Sequence, residues 1–291
     1  MFEDFQLSWI KTSEAEIRVR HGGHGPGLLL LHGHPQTHVM WHKIAPWLAR
    51  DFTVVAADLR GYGESSKPPT TSDHESYSKR ALARDQVEVM RQLGFEQFFV
   101  AGHDRGGYCA FRMALDAPER VLKLAVFSNI PIGEAFRRTT REFALGWYHW
   151  FFFAQPDLPE RLILENPDNF YPWGERMQAK RPPYFTPEAV DDYRRCVSNP
   201  DTIRAMIEEY RAGATYDFAL DEADRGKKRI HCPLLVLTCL NDDLKDYFDI
   251  QAIWRMWAEN VAFQNLHAGH YAAEERPEET YQALFSFFSA L

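Results

Sequence analysis

Val100-Ala101-Gly102-His103-Asp104-Arg105-Gly106-Gly107 is the stretch on which the fold turns. It follows a short apolar run, Phe98–Ala101, and opens a helix-like stretch, Gly107–Leu115. Small residues two before and two after Asp104 permit a tight strand-turn-helix elbow. Such a turn pushes the central side chain outward and points the next backbone N–H into the same space. Serine is the common occupant of that position; here it is a carboxylate. The competing reading is that Asp104 merely caps the following helix.

Similar short apolar runs flank this one. They are Leu28–Leu31, Val54–Ala57 and Leu122–Phe127, then Leu234–Leu237 and Val261–Leu266 near the end. Runs this short, apolar on both faces, predict strands buried in a parallel sheet. Helix-like stretches such as Tyr77–Leu93 lie between them, and the alternation predicts a doubly wound α/β sheet. The rhythm breaks from about Gly133 to about Asp224. That region is aromatic (Trp147, Tyr148, Trp150, Phe151, Phe152, Phe153) and rich in proline (Pro156, Pro159, Pro167, Pro172, Pro182, Pro183), without strand runs. The expected organisation is an α/β core, residues 1–133 and 225–291, with a helical cap, residues 134–224, inserted into it.

The whole chain sets the bounds. Its 291 residues suit one α/β domain carrying a large insertion. Hydrophobic residues make up 45% and charged residues 25%, the balance of a soluble globular protein. The formal net charge of −8 and the lack of a basic stripe disfavour nucleic acid and anionic membranes as partners. No apolar run approaches the ~20 residues of a membrane span. Met1-Phe2-Glu3-Asp4 has no basic or apolar region of the secretory kind. Cys109, Cys196, Cys232 and Cys239 are scattered, so free thiols in a reducing, cytoplasmic setting are expected.

In open α/β sheets, ligands bind beyond the C-terminal ends of the strands, and three further motifs sit at such ends. Leu31-His32-Gly33-His34-Pro35 can turn the His34 N–H toward the space above Asp104, where it and the Arg105 N–H would form an oxyanion hole. Leu266-His267-Ala268-Gly269-His270-Tyr271 offers His270 as a base, with His267 as its competitor. Leu237-Thr238-Cys239-Leu240-Asn241-Asp242-Asp243 offers an acid to orient that histidine, Asp242 first and Asp243 as the fallback. Asp58-Leu59-Arg60-Gly61-Tyr62-Gly63-Glu64-Ser65 reads as a structural turn.

In this order and spacing the motifs resemble the aspartate-nucleophile α/β hydrolases, which include dehalogenases and epoxide hydrolases. The resemblance is strongest to the fluoroacetate (haloacetate) dehalogenases and runs over nearly the whole chain, through Met40-Trp41 and Asp58–Ser65 to Gly269-His270. It implies an α/β-hydrolase fold, Asp104 as nucleophile, Arg105 as a carboxylate-binding residue and His270 as general base. His149-Trp150 in Tyr148-His149-Trp150-Phe151, and Tyr210 in Tyr210-Arg211-Ala212-Gly213, match the family's halide-binding His, Trp and Tyr. The sequence departs from the family at three places. Tyr108 stands where members acting on fluoroacetate carry a second Arg. Ser128, followed by Asn129, stands where their acid follows the strand after the elbow helix. His34 stands where Phe is common. The first change weakens binding of a carboxylate, and the second relocates or removes the acid of the triad, Asp242 lying where most α/β hydrolases keep theirs. The third adds a polar group to the substrate wall.

The resemblance thus implies hydrolysis of a haloacetate or related small halogenated acid through an ester on Asp104. It implies no metal or organic cofactor, a small-molecule substrate as partner, and a homodimer. An epoxide hydrolase with the same nucleophile is the nearest alternative, with Tyr148, Tyr210 or Tyr108 as proton donor. A catalytically silent ligand-binding protein on the same fold is the other.

Overall fold

The computed structural model describes residues 1–171, 173 and 181–290. Its strands are β1 (Gln6–Lys11), β2 (Glu16–Gly23), β3 (Gly27–Leu31), β4 (Thr53–Ala57), β5 (Phe98–His103), β6 (Val121–Phe127), β7 (Leu234–Cys239) and β8 (Val261–Leu266). They form one sheet in the order β1-β2-β4-β3-β5-β6-β7-β8. From β4 to β8 every neighbouring pair is parallel. The chain reverses between β3 and β5 in this order, and the crevice for a ligand opens beside such a switch.

Each apolar run of the sequence falls inside a strand. All five residues of β3 are buried, as its uninterrupted Leu run requires. Two strands escaped the sequence reading. β1 and β2 pair antiparallel with each other, and β2 is antiparallel to β4. Polar residues interrupt the apolar ones in both because this hairpin extends the edge of the sheet, so apolar runs do not mark it. At the other edge, β8 is not buried on both faces. Only Leu266 of it is buried, and Val261, Ala262, Phe263, Gln264 and Asn265 are all at least partly exposed, since nothing pairs with its outer edge.

The helices of the core are α1 (Ala45–Leu48), α2 (Lys79–Gln92) and α3 (Arg105–Asp116). The stretch read as Tyr77–Leu93 becomes α2 because Ser78 caps it, its side chain accepting from the Ala81 N–H. Between β6 and β7 the described residues form no strand. They build α4 (Ile132–Arg137), α5 (Arg141–Gly146), α6 (Tyr148–Phe153), α7 (Leu158–Glu165), α8 (Pro187–Val197), α9 (Pro200–Ala212) and α10 (Phe218–Asp224). Pro172 lies outside the described residues. The chain closes with α11 (Leu244–Tyr247), α12 (Ile250–Trp257), α13 (Ala272–Glu275) and α14 (Pro277–Ser289). Apolar packing is continuous from the sheet into the helical segment, joining for example Val100 and Phe127 to Trp150 and Ile207. Among the described residues no helix is long and apolar enough to cross a membrane, and the four cysteines are unpaired.

Candidate active site

Asp104 stands between β5 and α3 with φ 48° and ψ −117°. A non-glycine residue held there costs about 1–3 kcal/mol, so its surroundings must enforce it. Glycine makes that possible on both sides. A Cβ at Gly102 would lie 2.4 Å from the Gly106 carbonyl oxygen, and one at Gly106 would lie 2.5 Å from the carbonyl oxygens of Leu31 and His32. The start of α3 therefore rests directly on the end of β3. The Asp104 N–H donates to the Phe127 carbonyl at 3.2 Å, while no side-chain cap bond is made to α3. The capping role for Asp104 is thereby removed.

The turn after β3 comes close to this carboxylate. The His34 N–H donates to Asp104 Oδ1 at 2.8 Å. Arg105 is the first residue of α3, so its N–H has no acceptor within the helix. From the far side, His270 Nδ1 donates to Asp242 Oδ2 at 2.8 Å. Burial opposes the charge of Asp242, but the hydrogen bond and charge of His270 outweigh it, helped by the Ser128 hydroxyl. Its carboxyl is held well below the usual range. Burial likewise opposes the charge of His270, yet Asp242 and then Asp104 raise its pKa above the ordinary imidazole value. With Nδ1 committed to Asp242, Nε2 is the nitrogen left for other chemistry.

The competing residues have other partners. Asp243 Oδ1 accepts from the Trp147 indole N–H at 3.0 Å. His267 is largely exposed and pairs with Glu279 at 3.1 Å. Ser128, also at positive φ, follows β6 and adjoins Asp242. The Asp58 turn is structural: its carboxylate binds the His38 N–H at 2.8 Å and the His38 ring at 2.7 Å.

Asp104, Asp242 and His270 open onto a cavity of about 380 Å³ whose wall also includes His34, His149 and Tyr210. Burial pushes the His149 ring down to about 4. The same effect, with His149 and Arg105 nearby, holds His34 well below its usual value. Both rings are therefore neutral at pH 7. Burial lifts the Tyr210 hydroxyl well above 10, keeping it protonated.

Three residues expected at the substrate stand behind this wall. Arg105, Tyr108 and Trp150 are buried and do not line the cavity. Arg105 Nε donates to both Glu209 carboxylate oxygens, at 2.9 and 2.8 Å, and Nη2 donates to the Glu209 carbonyl at 3.2 Å. The guanidinium expected to meet a substrate carboxylate is thus engaged by one from the protein. Tyr108 and Trp150 pack edge to face, 5.9 Å apart, on the same guanidinium.

Sequence reasoning missed Glu209 and the wall residues Phe153, Tyr171 and Tyr271. Tyr271 directly follows His270, and its ring lies 5.3 Å from the imidazole. Adjacency to the base was the available signal. Glu209 gave none, since Glu208-Glu209 in a helix reads as a solvated face. Among the described residues no group of three or more His, Cys, Asp or Glu side chains is arranged to hold a metal ion.

Comparison with known proteins fits this fold and geometry. Residues 26–277 match the model of the α/β hydrolase fold family. Fluoroacetate dehalogenase from Burkholderia sp. is 43% identical, over 99% of this chain and 95% of that protein. Soluble epoxide hydrolase from Corynebacterium sp. is 32% identical over 92% of each. An α/β-hydrolase structure from Nostoc sp. PCC 7120 superposes with a TM-score of 0.95 at 50% identity, covering 100% of both chains. The chain belongs to the α/β-hydrolase fold family, in the branch that holds fluoroacetate dehalogenase and soluble epoxide hydrolase.

Proposed function

We propose that this chain is a hydrolase that opens a carbon–halogen bond through an ester on Asp104. One observation carries the reading: a carboxylate at the tip of the elbow, its Oδ1 held by the His34 N–H, shares a cavity with the His270–Asp242 pair. Likeness to fluoroacetate dehalogenase supports halide as the leaving group.

Asp104 Oδ2 attacks the carbon in line, the carbon–halogen bond breaks, and the halide departs with the electron pair. His149 and Tyr210, neutral donors in the wall, solvate it. In the second step His270 Nε2 takes a proton from water, and the water oxygen attacks Cγ of the ester. Negative charge develops on Oδ1, where the His34 N–H already donates and the Arg105 N–H adds to it. The Cγ–Oδ2 bond then breaks, and the alcohol leaves carrying Oδ2 and a proton. A carboxylate nucleophile suits this chemistry because it is ionised without a base.

The test is a trapped ester. His270→Ala protein exposed to chloroacetate or chloroacetamide is expected to retain a stable mass increase on the Asp104 peptide. An unmodified peptide, with a substrate that the wild type turns over, overturns covalent catalysis. Epoxide opening is the second reading, favoured by the protonated Tyr210 hydroxyl in the wall, which can donate to an alkoxide. Diol formation from styrene oxide without halide release from any halocarbon selects it.

A further inference from the structure

The cavity wall is short of cations. Among the described residues no Lys or Arg lines it, whereas Asp104, Asp242 and Asp243 do. The His34 and His149 rings are neutral at pH 7, as set out above, which leaves His270 as the one wall histidine whose pKa is raised. The cation closest in sequence to the nucleophile, Arg105, faces Glu209, and Glu209 is fully buried.

Glu209 is the centre of a closed charge network. Lys79 Nζ pairs with its carboxylate and lies 3.7 Å from Asp217. The Tyr62 hydroxyl donates to Glu209 Oε2 at 2.9 Å. Two cations, Arg105 and Lys79, therefore face two carboxylates, Glu209 and Asp217. Burial penalises the Glu209 charge, but Arg105 and Lys79 hold its pKa down at about 2, so it stays ionised at working pH. The guanidinium plane also covers the ring of Tyr210, 4.1 Å from its centroid, on the cavity's own wall. Arg105 is thus fixed in place and electrically balanced without any ligand.

We infer that Glu209 is a specificity-determining residue: by balancing Arg105 it makes the site select an uncharged electrophile, such as a haloamide, over the corresponding carboxylate. A substrate anion entering this cavity meets the carboxylates of Asp104 and Asp243, while Asp242 and His270 are already paired with each other and no Lys or Arg stands in the described wall. An amide of the same shape avoids that repulsion. The inference rests on the proposed attack by Asp104 and names the substrate class of that site.

Chloroacetamide and chloroacetate offer the same carbon–chlorine bond with and without the charge. Wild-type protein is expected to release chloride from chloroacetamide with a kcat/KM at least tenfold higher, with Asp104→Ala as the blank. Glu209→Gln, which leaves Arg105 unbalanced, is expected to shift that ratio at least tenfold toward chloroacetate, chiefly through KM. A packing role for Glu209 would lower both activities together and leave the ratio unmoved, and that result overturns the inference. Equal or better wild-type activity on chloroacetate overturns it too, without any variant that must fold. The underlying reading fails separately. If neither compound nor styrene oxide adds mass to Asp104 in the His270→Ala protein, the nucleophile is wrong. If chloroacetate labels Asp104 faster than the amide does, the nucleophile stands and the neutral-substrate inference falls.

Discussion

Asp104, His34, Asp242 and His270 all leave the ends of strands, whereas His149, Trp150, Tyr210 and Glu209 all come from α6 and α9. The two groups surround one cavity, at its wall or just behind it, but are positioned by different forces. At the strand ends, backbone geometry does the work: a positive φ at Asp104, two glycines that admit close approach, and one N–H on the carboxylate. In the helical segment, side-chain packing and a buried ion pair decide which groups reach the cavity. His149 and Tyr210 line it, while Trp150, next to His149 in sequence, lies behind it. Strand ends thus make positions that local motifs encode, and packed helices make positions that depend on distant partners.

The hardest test of the strand-end half is the acid. Asp242→Asn is expected to lower turnover by about 10²–10⁴-fold, because His270 loses the carboxylate that fixes its tautomer and stabilises its charged form. The sign of the accompanying pH effect follows from the charge. Asp242 raises the His270 pKa, so removing it makes the neutral, basic imidazole available at lower pH. The acidic limb of the pH–rate profile should move down. Asp243→Asn, whose partner is the Trp147 indole rather than His270, should change turnover far less. Equal losses in the two variants would contradict the observed pairing.

A smaller effect probes the helical half. Tyr210→Phe removes a wall hydroxyl and is expected to cost on the order of tenfold or more in kcat. Trp150→Phe should instead lower thermal stability by about 1–3 kcal/mol while leaving turnover near wild type. If kcat falls as far in Trp150→Phe as in Tyr210→Phe, then Trp150 reaches the leaving group.

A further effect, on stability rather than turnover, lies outside both groups. Glu274 of α13 accepts from Gln36 Nε2 at 2.6 Å, and burial pushes its carboxyl up to about 8. Its folded pKa exceeds the ordinary 4.5 of the unfolded chain. The native state therefore binds the proton more tightly, and stability is lost as pH rises from 4.5 to about 8. Glu274→Gln has no proton to lose. Melting curves should show it more stable than wild type by about 1 kcal/mol or more at pH 8, with the gap closing toward pH 5. A gap independent of pH would mean that Glu274 is already ionised in the native state.

Six strands were readable because each was a dense apolar run between breakers, and buried parallel strands demand that composition. β1 and β2 were not, since strands such as Gln6–Lys11 at a sheet edge need bury little and carry polar residues. The elbow was readable from Gly102 and Gly106, whose lack of a side chain is a steric requirement of the turn itself. Asp242 over Asp243 was a preference in sequence and became a 2.8 Å bond in three dimensions. The role of Arg105 could not be read at all, because its partner Glu209 lies 104 residues away.

The sequence by itself therefore determined the sheet core, the elbow and the identity of the carboxylate on it. Each of these follows from short-range sterics and from burial of contiguous apolar residues. Only the tertiary structure decided which acid holds His270, which aromatic residues reach the cavity, and whether Arg105 is free. Those outcomes depend on pairings between distant segments, and a buried charge takes whichever partner the completed fold brings within hydrogen-bond reach.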